Sequence, residues 1–276
     1  MNKITRRALA AAVLLTFSTA CAQRSGASVN ISGSTSVSPF TEHLGEMYHE
    51  QHAGSHVNVQ SLGSSAGIQA AIKGVADIGM SSRELKPEEA EKLDQLVIAR
   101  DALAVIVHPN NPVRSLTQDQ VRSIFAGNIT RWNEVGGPDA PITLVAREAG
   151  SGTYAAFQEL MLGKTTMTDA ALRQGSNGAI RQVVAEDPNA VGYISLGIVD
   201  PTVHAIAIDG VEASHDAVLA GRYVFVRRFL FVWPKGQPLD ADAQEFVDFV
   251  MSDAGQTEFE RLGLVKAEYH SPELHP

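Results

Sequence analysis

Residues 56–82, HVNVQSLGSSAGIQAAIKGVADIGMSS, carry the clearest indication of the fold class. The first seven residues alternate as in a half-buried strand, GSSAG is a turn, IQAAIKGVA has helical spacing, and DIGMSS reads as the next strand. Strands that alternate with helices are typical of an α/β fold with mainly parallel pairing. We therefore expect a mainly parallel sheet flanked by helices.

The same order recurs on both sides of this stretch. Val29–Ile31 predicts a strand, which a hydroxyl-rich turn separates from an amphipathic helix over 40–51. The remaining pattern predicts a charged helix at 87–92, apolar strands at 95–99 and 102–108, a helix over 116–125 with Thr117 as its cap, strands at 142–146, 190–195, 203–210 and 227–234, a helix from 177, and two helices within 240–263.

Composition bounds the function. The chain has 276 residues, of which 44% are hydrophobic and 19% charged, a balance typical of a globular protein with a real core. Its net charge is −9, and it becomes −12 without the first twenty residues, whose only charges are three cations. Nucleic acid is therefore not expected as a partner, because such binding needs a basic surface. Any anion must be held by local groups.

The N-terminus predicts export. Three cations precede the apolar run 8–17, and small residues follow it, which is typical of a secretory signal peptide over residues 1–20, with a retained anchor as the alternative. Cys21, the single cysteine, is either a lipid-modified first residue or a bystander at an ordinary cleavage site. No disulfide within the chain is possible. We expect a tether over 21–27 and a loose tail over 269–276.

Three loops share one composition: GSTSVSP at 33–39, GSSAGI at 63–68 and GSGTY at 150–154. Each follows a predicted strand and opens a helix, where backbone N–H groups and hydroxyls can stabilise an anion. One such loop alone would more often be only a helix cap. Three of them together with Arg147, whose planar guanidinium suits a tetrahedral oxyanion, favour a binding site.

Five segments carry a resemblance. SGSTSVSPF, GSSAGIQAAIKGVADIGMSSREL, FAGNITRWNEVGG, REAGSGTYAAF and AVGYIS, in that order over most of residues 29–262, resemble the phosphate-binding proteins that serve ABC-type phosphate importers in bacteria. The resemblance implies a periplasmic or cell-envelope protein with a type II periplasmic-binding-protein fold, whose two lobes close over one phosphate. Lobe I would comprise residues 28–107 and 225–268, and lobe II residues 108–224.

The resemblance also implies partners and a site. The partners would be inorganic phosphate and the permease subunits of the importer, with contact to the membrane only through a lipid on Cys21. A monomer without cofactor, metal or catalytic activity is expected. The ligand-binding residues implied for phosphate are Ser34, Thr35, Ser36, Ser64, Ser65, Ser82, Arg83, Arg147, Ser151, Gly152 and Thr153.

The sequence departs from the pattern at one place. Long members of the family have an aspartate where this chain has Ser82 followed by Arg83. That aspartate accepts a hydrogen bond from the proton of phosphate and repels sulfate, so the basis of selectivity is in question here. The SSRE form resembles a shorter branch of the family. Arg83 is either a second cationic ligand or a partner of Glu84 or Glu148.

An enzyme is the main alternative. GSSAG also fits G-x-S-x-G, the nucleophile elbow of α/β hydrolases, which would make Ser65 the nucleophile. Asp200 or Asp209 would then be followed by His204 or His215 as partners. The EAGSGTY loop, in contrast, lacks the lysine that a nucleotide-binding P-loop needs.

Two further possibilities concern the surface. His43, His49, His52 and His56 crowd one helix and its exit, but their spacing favours a solvated helix end over a metal site. Trp132 and Trp233 are expected to pack in the core or shield a loop. A phosphate sensor or surface interaction protein on the same scaffold stays open as an alternative to transport.

Overall fold

The computed structural model describes residues 28–268; the predicted signal peptide, the tether, Cys21 and the tail lie outside this range. Strands and helices alternate as expected. The strands are β1 Ser28–Gly33, β2 His56–Ser61, β3 Ile78–Ser81, β4 Leu93–Val107, β5 Ser115–Leu116, β6 Thr143–Arg147, β7 Leu172–Gln174, β8 Ala190–Ser195, β9 His204–Ala205, β10 Ala207–Ile208, β11 Val226–Pro234 and β12 Val265–Lys266. The helices are α1 Ser38–Gln51, α2 Ser64–Ile72, α3 Pro87–Ala90, α4 Gln118–Phe125, α5 Gly152–Phe157, α6 Asn177–Glu186, α7 His215–Leu219, α8 Ala241–Met251 and α9 Asp253–Arg261.

One continuous sheet runs through the described chain, in the order β2-β1-β3-β11-β4-β8-β6-β7. β1 pairs in parallel with β2 and β3, and β6 pairs in parallel with β7 and β8. The strands between these two parallel groups, β11 and β4, pair antiparallel with each other and with their outer neighbours. The sheet is therefore mixed, with a parallel group at each end.

The two strands predicted at 95–99 and 102–108 are one 15-residue strand, β4. The prediction was wrong because the polar pair Arg100 and Asp101 interrupts the apolar pattern without interrupting the strand. Asp101 is 1% exposed, and its carboxylate accepts hydrogen bonds from Arg227 and Ser195. The burial of this carboxylate is possible because it is paired.

Smaller differences concern the ends of elements. The helix predicted from residue 68 begins at Ser64, directly after Gly63, and ends at Ile72. The strand predicted over 203–210 is divided into β9, which pairs with β4, and β10, which pairs with β5. The cap at Thr117 is confirmed, since its hydroxyl accepts a hydrogen bond from the N–H of Gln120.

The buried apolar side chains form separate cores. One core takes its residues from 29–99 and 229–264 and covers one parallel group. Another takes them from 102–225 together with Val265 and covers the other parallel group. This separation is consistent with the predicted lobes, whose boundaries stay a prediction. Within residues 28–268, no helix combines the length and apolar character needed to cross a membrane.

Candidate functional site

The structure brings the three hydroxyl-rich loops together. Ser36 Oγ of the first loop lies 2.7 Å from Thr153 Oγ1 of the third. The N–H of Ser65 in the second loop donates to the carbonyl of Gly150, also in the third, at 3.2 Å. The loops therefore meet directly, although 117 residues separate Ser36 from Thr153.

Local geometry explains how the loops approach so closely. Gly63 has φ +93°, a conformation that favours glycine, and it places Ser64 at the start of α2. A Cβ on Gly152 would lie 2.2 Å from Ser64 Oγ and 2.6 Å from Ser82 Oγ. Only a residue without a side chain fits at position 152. Ser151 caps α5, because its Oγ accepts from the N–H groups of Thr153 and Tyr154.

Predicted serines of the first two loops form a buried cluster with Ser82, which follows β3. Ser34 Oγ donates to Ser82 Oγ at 2.8 Å, and the N–H of Ser82 donates to Ser64 Oγ at 3.1 Å. Ser34, Ser64 and Ser82 are at most 1% exposed. Ser65 is only half-buried, and its Oγ receives a long 3.5 Å contact from Arg83.

Arg147 ends β6 and is held at this junction by neutral groups only. Its Nη1 donates to Thr35 Oγ1 at 2.9 Å, its Nη2 to the carbonyl of Gly175 at 2.7 Å, and its Nε to the carbonyl of Gln174 at 3.1 Å. The side chain is 1% exposed and takes part in no ion pair within the described chain. Burial lowers its pKa to about 10. Arg147 therefore brings a positive charge that no carboxylate of the described chain balances at contact distance, although the attraction of Glu148 partly opposes the lowering of its pKa.

Arg83 differs from the prediction in its partner. It forms a bidentate ion pair with Glu89, in which Nη1 donates to Oε2 at 2.7 Å and Nη2 to Oε1 at 2.9 Å. It forms no ion pair with Glu84 or Glu148. Glu84 instead binds Arg228. Burial opposes ionisation of Glu89, but hydrogen bonds from Arg83 and from the N–H of Lys86 outweigh it, so the pKa of Glu89 is lowered. The role of Arg83 as a ligand stays a prediction.

Sequence reasoning missed Arg227 on β11. Its Nη1 donates to Thr153 Oγ1 at 2.9 Å and its Nη2 to Ser36 Oγ at 3.1 Å, while Nε donates to Asp101 at 2.9 Å. Burial raises the pKa of Asp101 and lowers that of Arg227, and the attraction between them opposes both shifts. The signal in the sequence was a charged residue in each of two apolar strands.

Asn177 was also missed. It is the first residue of α6, is fully buried, and donates from Nδ2 to Ser36 Oγ at 2.7 Å and to Thr35 Oγ1 at 3.2 Å. Ser176 caps the same helix. The segment GSNG at 175–178 is a fourth strand-to-helix loop with the composition of the other three, and this signal could have identified it.

The Nδ2 of Asn177 and the guanidinium of Arg227 together set the hydrogen-bond directions here, because both groups only donate. Ser36 Oγ accepts from Arg227 and from Asn177, so its own hydrogen goes to Thr153 Oγ1. Thr153 Oγ1 thus accepts from Ser36 and from Arg227. The hydrogen of Thr153 has no acceptor within residues 28–268.

Thr35 likewise has a hydroxyl hydrogen without an acceptor in the described chain. Its Oγ1 accepts from Arg147 and from Asn177, and no acceptor for its hydrogen lies within the described chain. Thr35 and Thr153 come from different loops, and each keeps one hydroxyl hydrogen for a ligand. The site therefore combines donors from two parts of the chain with the charge of Arg147.

The geometry does not favour the hydrolase. No histidine lies within hydrogen-bonding distance of Ser65 Oγ in the described range. His204 pairs through β9 with the far end of β4, and Asp200 bonds to Thr202 and Arg181. Asp209 accepts from the N–H of Gln118, outside the loops.

The histidines within residues 28–268 show no metal-binding arrangement. Across residues 28–268, no three His, Cys, Asp or Glu side chains are grouped as metal ligands. His43 bonds to Glu258 at 2.5 Å, and His49 stacks on His56 beside a surface cleft of about 480 Å³. Trp132 is fully buried in a core, and Trp233 packs against the other.

Two α/β halves with separate cores, joined through long antiparallel strands and meeting at donor-bearing loops, define a two-lobed binding protein of the type II periplasmic class. Comparison with known proteins agrees. Residues 18–254 match the model of the PBP superfamily domain. The phosphate-binding protein PstS of Borreliella burgdorferi is 30% identical over 86% of this chain and 89% of that protein.

Solved structures give the same result. A protein from Clostridium perfringens described as a phosphate ABC transporter substrate-binding protein, solved with bound phosphate, has a TM-score of 0.83 and 43% identity over 87% of this chain and 99% of that one. An ABC-type phosphate transport receptor from Vibrio cholerae has a TM-score of 0.71 and 37% identity over 86% and 99%. The chain belongs to the PstS family of phosphate-binding proteins.

Proposed function

We propose that this chain binds inorganic phosphate between its two lobes and delivers it to the permease of an ABC-type importer. One observation carries the proposal: Arg147 is buried, forms no ion pair in the described chain, and donates to the hydroxyl of Thr35 in the first loop. A buried charge needs a counter-charge. A tetrahedral anion that accepts from Arg147, Thr35 and Thr153 would supply it.

The phosphate-binding group that we propose is narrower than the sequence prediction. Thr35, Thr153 and the helix-start N–H groups act as donors, with Arg147 as the cation, while Ser36 donates its hydroxyl hydrogen to Thr153. We assign Arg227 the role of orienting the hydroxyls of Ser36 and Thr153, because both of its Nη atoms donate to them. Ser34, Ser64 and Ser82 support the loops, since they bond to one another.

The energetics support capture by closure. Each hydrogen bond to a charged group contributes about 1.5–3 kcal/mol when it replaces hydration. Donors from both lobes reach one ligand only when the lobes are together, so the ligand stabilises the closed state by its higher affinity for that state. A permease can recognise this state. No reaction is required, and the related proteins are substrate-binding proteins by description.

The remaining parts of the proposal rest on the sequence and the family. We propose export across the inner membrane, guided by residues 1–20, and action as a monomer in the cell envelope. Lipid attachment at Cys21 would tether the protein, and sensing on the same scaffold is the alternative to transport.

Calorimetry tests the proposal. After exhaustive removal of phosphate, the protein is expected to bind one phosphate per chain. Gly152→Ala should weaken binding about fivefold to 100-fold, because its methyl group would collide with two serines and overpacking costs about 1–3 kcal/mol. Gly150→Ala is the matched control, since no atom lies within 4 Å of its added Cβ.

Two results would contradict the proposal. One is the absence of any measurable heat of phosphate binding to the unaltered protein. The other is an equal loss of phosphate affinity in both glycine variants, which would show that phosphate binding does not depend on the contact between the loops.

A further inference from the structure

The side-chain oxygen of Asn177 is the exceptional atom of the site. Asn177 is 0% exposed, and its Nδ2 donates to Ser36 and Thr35, yet its Oδ1 accepts no hydrogen bond. No other side-chain oxygen or nitrogen of the candidate site is buried and unpartnered in the described chain. A buried acceptor left unpaired costs free energy, so its retention here needs an explanation.

The guanidinium and threonine hydroxyl groups of the site offer hydrogens to a ligand. Guanidinium groups cannot accept, and the hydroxyl oxygens of Thr35 and Thr153 already accept from two donors each. Donors bind any tetrahedral oxyanion in the same way. They favour sulfate as much as phosphate, because both ligands offer only oxygen lone pairs to them.

The buried carboxylates nearby are already engaged. Asp101 accepts from Ser195 through Oδ1 and from Arg227 through Oδ2. Both oxygens of Glu89 are bonded to Arg83. Asn177 Oδ1 is therefore the buried side-chain acceptor of the site that has no hydrogen-bond partner in the described chain.

Inorganic phosphate carries at least one O–H group at neutral pH, whereas sulfate carries none. We propose that Asn177 Oδ1 accepts a hydrogen bond from the P–O–H group of bound phosphate and so makes the site selective for a protonated tetrahedral anion. This inference rests on the proposed phosphate function. It assigns the discrimination to a neutral amide in a chain that has Ser82 where a carboxylate is otherwise expected.

A neutral acceptor has a particular consequence. It leaves the charge of Arg147 uncompensated for the ligand, while a carboxylate would partly cancel it. Sulfate would lose one hydrogen bond and leave a buried oxygen unpaired, without direct repulsion by a full negative charge. We therefore expect discrimination of about fivefold to 100-fold, the effect of one unsatisfied buried acceptor.

The test compares three anions in calorimetry: phosphate, sulfate and monofluorophosphate, a dianion in which fluorine replaces the hydroxyl. The unaltered protein is expected to bind phosphate about fivefold to 100-fold more tightly than either of the others. In Asn177→Leu this ratio should fall towards one. In Asn177→Asp it should rise, because a carboxylate still accepts from the P–O–H group and repels the unprotonated anions.

Thr153→Val is the matched control, since the group that it removes from the ligand is a donor rather than an acceptor. It should weaken all three anions alike and leave the ratio unchanged. Thermal unfolding of each variant checks the fold, and Asn177→Asp keeps the shape of the side chain if the leucine variant does not fold.

The outcomes are distinct. An unchanged ratio in folded Asn177→Leu, or a ratio near one in the unaltered protein, overturns the inference and leaves phosphate binding intact. Equal weakening of all three anions by Asn177→Leu would show that the amide nitrogen, a donor, faces the ligand, and it would also overturn the inference. Failure of the unaltered protein to bind any of the anions refutes the proposed function itself.

Discussion

Arg83 and Arg147 are both buried guanidinium groups close to the same hydroxyl-rich loops, yet their charges are balanced differently. Arg83 is neutralised by both oxygens of Glu89, in the same short segment of chain. Arg147 is held by two backbone carbonyls and Thr35. Both arrangements hold the guanidinium by several hydrogen bonds, but only Arg147 lacks a carboxylate in contact with it within the described chain.

The difference separates a structural arginine from a binding one. A buried ion pair fixes a local shape and has little charge left for a ligand. A guanidinium held by neutral acceptors is oriented by the fold and keeps its charge. Arg227 lies between these cases, because Asp101 neutralises it while its two Nη atoms direct the hydroxyls of Ser36 and Thr153.

Arg147→Met should give the largest effect. It removes the unpaired charge while keeping most of the side-chain volume, and loss of one partner of a buried charge pair costs about 2–5 kcal/mol in binding. Phosphate affinity should therefore fall about 30-fold to several thousand-fold in calorimetry. Without phosphate, the free energy of unfolding in urea should stay the same or rise, because an unbalanced buried charge has been removed.

A large loss of stability in phosphate-free Arg147→Met, comparable with the loss of a core residue, would contradict this distinction. It would mean that Arg147 is a structural residue like Arg83.

Glu89→Gln should lower the folding stability and leave phosphate affinity nearly unchanged, the reverse of the effects expected for Arg147→Met. It leaves Arg83 buried without its carboxylate, and breaking a buried pair in this way costs about 3 kcal/mol of folding stability. Phosphate affinity should change by no more than about threefold, because the charge at Arg147 is untouched. Urea unfolding and calorimetry measure the two quantities on the same sample.

The double variant Arg83→Met with Glu89→Leu is the control, since replacing a whole buried pair by apolar residues is often nearly neutral. It should recover most of the lost stability. If it also lost phosphate binding, Arg83 would be a ligand after all.

The sequence predicted those parts of the fold and site that depend on residues close together along the chain. The three loops were found because Gly and Ser or Thr at the start of a helix have the same meaning in any fold. The pairing of Arg83 was wrong because Glu84, one residue away along the chain, pairs with Arg228, while the packed loop brings Glu89, six residues away, to Arg83.

The residues missed are those whose role exists only after folding. Arg227 stands 74 residues from Thr153 along the chain, and 126 from Asp101. Their meeting depends on the pairing of β4 with β11, which brings two charged residues of apolar strands together. The same pairing explains why β4 continues through Arg100 and Asp101, where the sequence predicted a break.

The smallest effect concerns pH and follows from the burial of Arg147. Because its pKa is lowered to about 10, the guanidinium loses its proton as the pH rises through that value, and phosphate affinity should fall on the alkaline side and not on the acidic side. A single titrating group predicts a loss of about twofold at pH 10 and about tenfold at pH 11. Calorimetry from pH 8 upward at constant high salt measures this loss while limiting the influence of surface charge.

Arg147→Lys provides a comparison. Lysine has a lower ordinary pKa and the same burial lowers it further, so the decline in phosphate affinity should begin at a lower pH. If both proteins declined at the same pH, another group would be responsible, and the unpaired charge of Arg147 would no longer distinguish it from Arg83.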